Sequence, residues 1–187
     1  IAASADLNIV LLEKNSSLGS KLLITGGGRC NITNEKPIKK LLNSFHDKNF
    51  LKHSFYTFTN EMLLDLFRNR GLDFIVEDNN RVFPETEKSQ DILAILKYYL
   101  KDITIKYNYE VSDIKKEDNF IINNDIIAEK IIIATGGATF PKTGSTGDGY
   151  YLTDNPVTDI KYGLVPLITK KDLSDIAGIT LYDVVIK

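Results

Sequence analysis

The sequence predicts a mixed α/β domain built on a partly parallel sheet, and three observations carry that reading. A continuous apolar run over residues 8–12 ends in an acid, Glu13, in the manner of a strand buried on both faces. Two amphipathic helical patterns begin near Asn60 and Ser89. A second apolar run, Ile131, Ile132, Ile133 and Ala134, leads straight into Thr135, Gly136 and Gly137, glycines placed where a parallel strand emerges at the ligand-facing edge of a sheet.

Taken in order, residues 1–6 read as the last turns of a helix, and residues 8–13 follow as a strand. Together they form the second half of a βαβ unit, whose first strand and tight glycine turn are expected upstream of residue 1. A glycine-rich loop covers residues 25–31, and polar sequence extends from it to a helix starting near Asn60. Leu63, Leu66 and Phe67 share one face of this helix and Gly71 stops it. Residues 72–76 alternate as a short strand that Arg81, Val82, Phe83 and Pro84 close. The next helix starts after Ser89, with Ile92, Leu93, Leu96, Tyr99 and Leu100 as its apolar stripe.

From Ile103 the period changes to two, which predicts a strand over residues 103–112 with one wet face. Residues 120–122 and 126–128 flank Asn123, Asn124 and Asp125 and read as a hairpin. Residues 131–134 read as a buried strand. Pro156, Pro166 and the strand-like residues 183–186 mark the start of a β-rich region.

Composition narrows the function classes. The 187 residues carry 23 basic and 25 acidic side chains, a net charge of -2, dispersed along the chain, so neither nucleic acid nor an anionic membrane is expected as a partner. The absence of a long apolar run or a basic leader followed by a hydrophobic stretch predicts a cytoplasmic protein. A single cysteine cannot form an internal disulfide, and with two histidines there are too few soft ligands for a structural zinc site.

Several residues suit a nucleotide ligand. An acid at the end of a parallel strand, such as Glu13, accepts hydrogen bonds from ribose hydroxyls in dinucleotide folds; a solvated strand end is the alternative. The run Gly26, Gly27, Gly28 lets backbone approach a ligand closely and exposes N–H groups, and Arg29 adds a forked cation suited to phosphate. A flexible loop with a surface arginine would look the same. Cys30 has no resolving partner and reads as a packed, inert thiol. Asp148, in the glycine-rich run 144–149, could meet a sugar hydroxyl or cap a turn, and His46 and His53 read as surface residues.

In order, Leu11-Leu12-Glu13-Lys14, residues 18–24 with Lys21, the run 26–34 beginning Gly26-Gly27-Gly28-Arg29-Cys30-Asn31, Arg81-Val82-Phe83-Pro84 and the run 134–149 closely resemble the aminoacetone-oxidase-like (BaiN-type) family of FAD-dependent NAD(P)-type oxidoreductases. Residues 164–167 resemble the opening of that family's inserted β-rich domain. The resemblance implies an FAD-binding Rossmann-like fold of the two-dinucleotide-binding-domain type over residues 1–156, lacking its first strand and glycine turn, with residues 157–187 beginning the inserted domain. It implies that Glu13 holds the adenosine ribose, that Gly26, Gly27, Gly28, Arg29, Cys30 and Asn31 run along the flavin side, and that Val111 offers backbone to the adenine. Thr135 and Gly136 would pack near the pyrophosphate, and Lys14, Lys21 and Gly137 complete the implied cofactor-binding set. The implied activity is that of a flavin-dependent oxidoreductase acting on a small molecule, with NAD(P)H as a possible electron donor and the catalytic residues unassigned. The alternatives are a non-catalytic nucleotide-binding remnant and, with little support from the charge, a flavoprotein acting on tRNA. By itself the 187-residue chain is expected to be inactive and to hold FAD weakly or not at all, because the missing glycine turn supplies the helix N-terminus that receives the pyrophosphate.

Overall fold

The computed structural model describes residues 7–153 and 155–160. The chain divides into two units, Ile1–Asp154 and Asn155–Lys187. In the second unit residues 155–160 are described and form no regular element. The helix expected over residues 1–6, the run 164–167 that resembles the opening of the inserted domain and the strand-like residues 183–186 lie outside the described residues.

Among its described residues the first unit holds a parallel pair, two antiparallel sheets and four α-helices. Strand β1 (Val10–Leu12) pairs in parallel with β5 (Thr104–Lys106), Leu11 opposite Ile105. A parallel ladder requires a crossover, and the intervening chain supplies it with the elements that form the core. Strands β2 (Thr33–Asn34), β4 (Arg81–Pro84) and β3 (Phe74–Glu77) form an antiparallel sheet in that order. Against it pack α3 (Asn60–Arg68) and α4 (Ser89–Tyr99). Strands β6 (Ile114–Lys116), β7 (Phe120–Ile122) and β8 (Ile126–Ala128) form a separate meander.

The helices start and stop for local reasons. Thr59 caps α3 by accepting from the Met62 N–H at 3.2 Å, and Gly71, at φ +78°, ends the turn after it. On α3 Phe67 is buried and Leu63 and Leu66 are half-buried, as expected, while Leu64, outside the expected stripe, is buried as well. Ser89 is the first residue of α4 rather than its cap, and its buried hydroxyl donates to the Leu23 carbonyl at 3.1 Å. That bond ties the helix to the glycine-rich segment. Phe67, Ile92, Leu72 and Cys30 form the centre of the core, with the Val82 and Phe83 side chains also fully buried.

Four expectations need correction. The polar stretch before Asn60 contains two helices, α1 (Ile38–Leu42) and α2 (Lys48–Thr57); the Asp47 side chain caps α2 by accepting from the Phe50 N–H. The strand expected over residues 103–112 forms a ladder only over β5, because Asn108 turns to φ +51° and breaks the alternation. Val111 therefore lies in a loop rather than at a strand end. The meander has a third strand, β6, that alternation did not reveal. Residues 131–134 are not a buried strand: Ile132 is 81% exposed and Ile133 37%. An apolar strand of this kind needs a sheet neighbour, and none of the described residues supplies one.

The 120–128 hairpin forms as read, with Asn123 and Asn124 both left-handed at its turn. No helix among the described residues is long and apolar enough to cross a membrane.

Phe67 is 1% exposed at the centre of this core, so Phe67→Ala is expected to destabilise the protein by about 3–5 kcal/mol. Met62→Ala, one turn away on the open face of α3, should change stability by about 0.5 kcal/mol or less. Urea midpoints of the two variants measure the difference.

Candidate functional site

The predicted site residues fall into two groups. The first gathers at the carboxyl edge of the parallel pair. Glu13 directly follows β1; its N–H donates to the Lys106 carbonyl at 2.9 Å and its carbonyl accepts from the Tyr109 N–H at 2.9 Å. This backbone bracket fixes where its side chain starts. One carboxylate oxygen accepts from the Asn15 N–H at 2.7 Å. The other accepts no hydrogen bond among the described residues, leaving an acceptor oxygen at the edge where open α/β sheets bind ligands.

Lys14 is fully engaged. Its ammonium reaches Asp148 at 3.0 Å, Thr146 at 2.9 Å and Glu110 at 3.1 Å, using the three donors it has. Hydrogen bonds to Asp148 and then Glu110 raise the Lys14 pKa, while hydrogen bonds from Thr146 and Lys14 hold the Asp148 carboxyl below its usual range. Asp148 is thus an internal partner of Lys14 rather than a free sugar acceptor. Asn15 adds a bond to the Thr143 carbonyl at 3.2 Å, and Lys21 donates to Thr139 at its hydroxyl and its carbonyl, 2.9 and 3.2 Å away. The run 139–148 is thereby stitched to both ends of the segment that follows β1.

Thr135 and Gly136 are exposed and Gly137 is half-buried. The Thr135 hydroxyl accepts from the Gly149 N–H at 3.0 Å. Gly136 has φ +76°, and a Cβ there would meet nothing closer than Ser145 at 3.7 Å. Val111 is half-buried, next to the Glu110 that pairs with Lys14.

The second group is the glycine turn. Residues 22–28 coil tightly, and Gly26, Gly27, Gly28 and Cys30 all have positive φ, between 57° and 88°. Cys30 is buried, its N–H donates to the Thr25 carbonyl at 3.0 Å, and burial pushes its thiol pKa up. It lines an apolar cavity of about 300 Å³ together with Leu22, Phe67 and Ile92. That setting fits an inert thiol. Asn31, with its amide oriented to satisfy its neighbours, donates to the Thr33 and Val82 carbonyls at 3.0 and 3.3 Å.

Arg29 points to carboxylates: Glu77 at 2.6 Å and Glu87 at 2.8 Å, with the guanidinium carbon 4.1 Å from the centre of the Phe83 ring. Hydrogen bonds to Glu77 and Glu87 raise the Arg29 pKa, and the Arg29 contact lowers that of Glu77. The guanidinium is therefore neutralised by acids of its own chain, and it is neither a loose surface group nor an unpaired phosphate ligand. Glu77, Glu87 and Glu110 are partners that the sequence reading missed. They carry no motif, and only the fold brings them within reach. His46 and His53 are exposed, as read.

The description "HI0933-like protein Rossmann domain" matches residues 1–162. The chain belongs to that family. The family is one of FAD-binding Rossmann domains, in line with the resemblance drawn from the motifs. Among curated relatives, the chain is 28% identical to a 3-dehydro-bile acid delta(4,6)-reductase of Clostridium scindens, over 90% of this chain and 43% of that protein. It is 27% identical to ribosomal RNA dihydrouridine synthases of Escherichia coli and Haemophilus influenzae, over 99% and 93% of this chain and 49% and 47% of theirs. The chain thus spans somewhat under half the length of the curated relatives it matches.

The residues present fit an FAD. Glu13 offers a free carboxylate oxygen, and a Cβ on Gly27 would meet no atom within 4 Å, so backbone is open there to a close-lying ligand.

The two neighbouring glycines differ in a testable way. A Cβ on Gly26 would lie 2.9 Å from the Asn31 backbone nitrogen and 3.0 Å from the Phe83 ring. Gly26→Ala is expected to destabilise the fold by about 2–4 kcal/mol, from clash added to left-handed strain. Gly27→Ala carries the strain alone and should cost about 1–2 kcal/mol. Equal urea midpoints for the two variants would contradict this packing.

Proposed function

We propose that this chain is the FAD-holding part of a flavin-dependent oxidoreductase, with Glu13 accepting hydrogen bonds from the adenosine ribose. The observation that carries the reading is the unshared Glu13 carboxylate oxygen at the carboxyl edge of a parallel strand pair, in a chain of this family. When bound, FAD supplies the hydride and electron transfer; the chain supplies binding, orientation and exclusion of water. Val111 offers backbone to the adenine, the exposed Thr135 and Gly136 and the half-buried Gly137 offer backbone near the pyrophosphate, and the turn from Gly26 to Asn31 lies along the flavin. Lys14 and Lys21 serve this site through their partners, by tethering the run 139–148.

The reaction we infer is a reduction, since the names of the three relatives above describe reductions; NAD(P)H is the electron donor that the motif resemblance implies. A small-molecule substrate fits the balanced charge of the chain, and a reducing compartment such as the cytoplasm fits its lone thiol. A ribosomal RNA base is the second reading, favoured by the names of two of the relatives. Reducing the bound flavin anaerobically with NADPH or NADH, then adding a steroid enone or ribosomal RNA, separates the two: the true acceptor restores the visible flavin absorbance.

Glu13→Gln is expected to weaken FAD binding by about 1–3 kcal/mol, because an amide replaces a charge-assisted acceptor. Glu13→Lys should be worse, since an ammonium can only donate. Equal FAD occupancy in wild type and both variants, with unchanged folding, would remove the ribose role.

A further inference from the structure

The glycine turn has a conformation that its own sequence does not stabilise. Gly26, Gly27 and Gly28 reach positive φ freely, but Cys30, at φ +62°, carries the strain of a left-handed non-glycine residue. Such strain persists only where the surroundings over-determine it. Behind the turn, Asn31 and Ile32 hold the chain to the Val82 carbonyl of β4. In front, the Phe83 ring lies against Gly26, and the Arg29 guanidinium covers that ring. Arg29 meets Glu77 through both its terminal nitrogens, at 2.6 and 3.4 Å, and Glu87 through one, at 2.8 Å. Glu77 is on β3 and also meets Arg81 at 3.3 Å, so two cations and two acids form one balanced network on the sheet.

We propose that Arg29 is a positioning residue: through Glu77, Glu87 and the Phe83 ring it latches the Gly26–Gly28 turn in its left-handed form, and it acts on the cofactor only by way of that turn. This rests on the reading that the turn lies along the flavin. A fork is needed because one point charge cannot bridge two carboxylates and lie flat on an aromatic ring at once. A guanidinium already shared by two acids is also a poor phosphate ligand, since taking a phosphate would bring a third anion to the same site.

The test compares Arg29→Ala, Glu77→Gln with Glu87→Gln, and the triple combination in the FAD-loaded and FAD-free protein. Two signals are read: hydrogen exchange of the peptide covering residues 25–32, and FAD affinity with the visible flavin spectrum. A latch predicts that Arg29→Ala and the double glutamine variant accelerate exchange alike, weaken FAD about five-fold alike, and displace the flavin band in the same direction. The triple variant then adds nothing further, and Arg29→Lys recovers part of the protection. Loss of FAD in Arg29→Ala with wild-type affinity in the double glutamine variant would show direct contact with the cofactor and overturn the proposal. Unchanged exchange in every variant would overturn it as well. If the wild type takes up no FAD, exchange in the FAD-free protein still decides for or against the latch. Should the double variant fail to fold, Glu87→Gln alone reads the same effect at smaller size.

Discussion

The Phe83 ring is the contact on which the arrangement of this domain depends. It is 1% exposed, belongs to the central strand of the antiparallel sheet, and has Gly26 against it with Arg29 stacked above. A side chain at residue 26 would displace the ring or the Asn31 backbone, so the glycine is required by close approach as much as by its dihedral angle. With the ring in place, the turn leads Cys30 into the core between α3 and α4 and delivers Asn31 and Ile32 to the edge of β4. The route of the chain from β1 into the helical layer follows from this one packing decision.

Lys14 has the corresponding role at the other end of the segment. Its ammonium gathers Glu110, Thr146 and Asp148, which come from two loops far from it in sequence. Each contact alone, two partly exposed ion pairs and one hydrogen bond, is of small worth. Their joint effect is geometric, since they fix the loop after β5 and the run 139–148 beside Glu13, whose carboxylate keeps one oxygen free. The residue next to Glu13 therefore serves the site by holding its neighbours.

Much of this was legible in the sequence where a pattern is local. The α3 and α4 stripes, the Asn-Asn hairpin and the parallel strand ending at Glu13 each follow from periodicity or turn chemistry, and the family follows from ordered motifs. The misreadings have physical reasons. The helices α1 and α2 are short, starting at a proline and at an Asp47 cap; the stripe of Leu51 and Phe55 on α2, with Phe58 at its C-cap, was there to be read but is brief and set among polar residues. Alternation over residues 103–112 concealed the left-handed Asn108. Apolar composition at residues 131–134 speaks of burial, but burial depends on a neighbour that composition cannot supply. The acids paired with Arg29 were invisible, because no spacing relates residue 29 to residues 77 and 87.

The parallel pair has a consequence for how the chain acquires its structure. Val10 finds its ladder partner at Thr104, so β1 must wait until the whole helical layer has been made before it can be paired. The 120–128 hairpin closes across a two-asparagine turn, a local event of microseconds in small systems. Contacts of wide sequence separation carry a loop-closure entropy that is repaid late, and they slow folding accordingly. The ligand edge is thus among the last features to be assembled, and during synthesis an apolar strand stands unpaired ahead of it. The edge proposed to receive the cofactor is completed by a contact of wide sequence separation, and until that contact forms its apolar strand is open to aggregation.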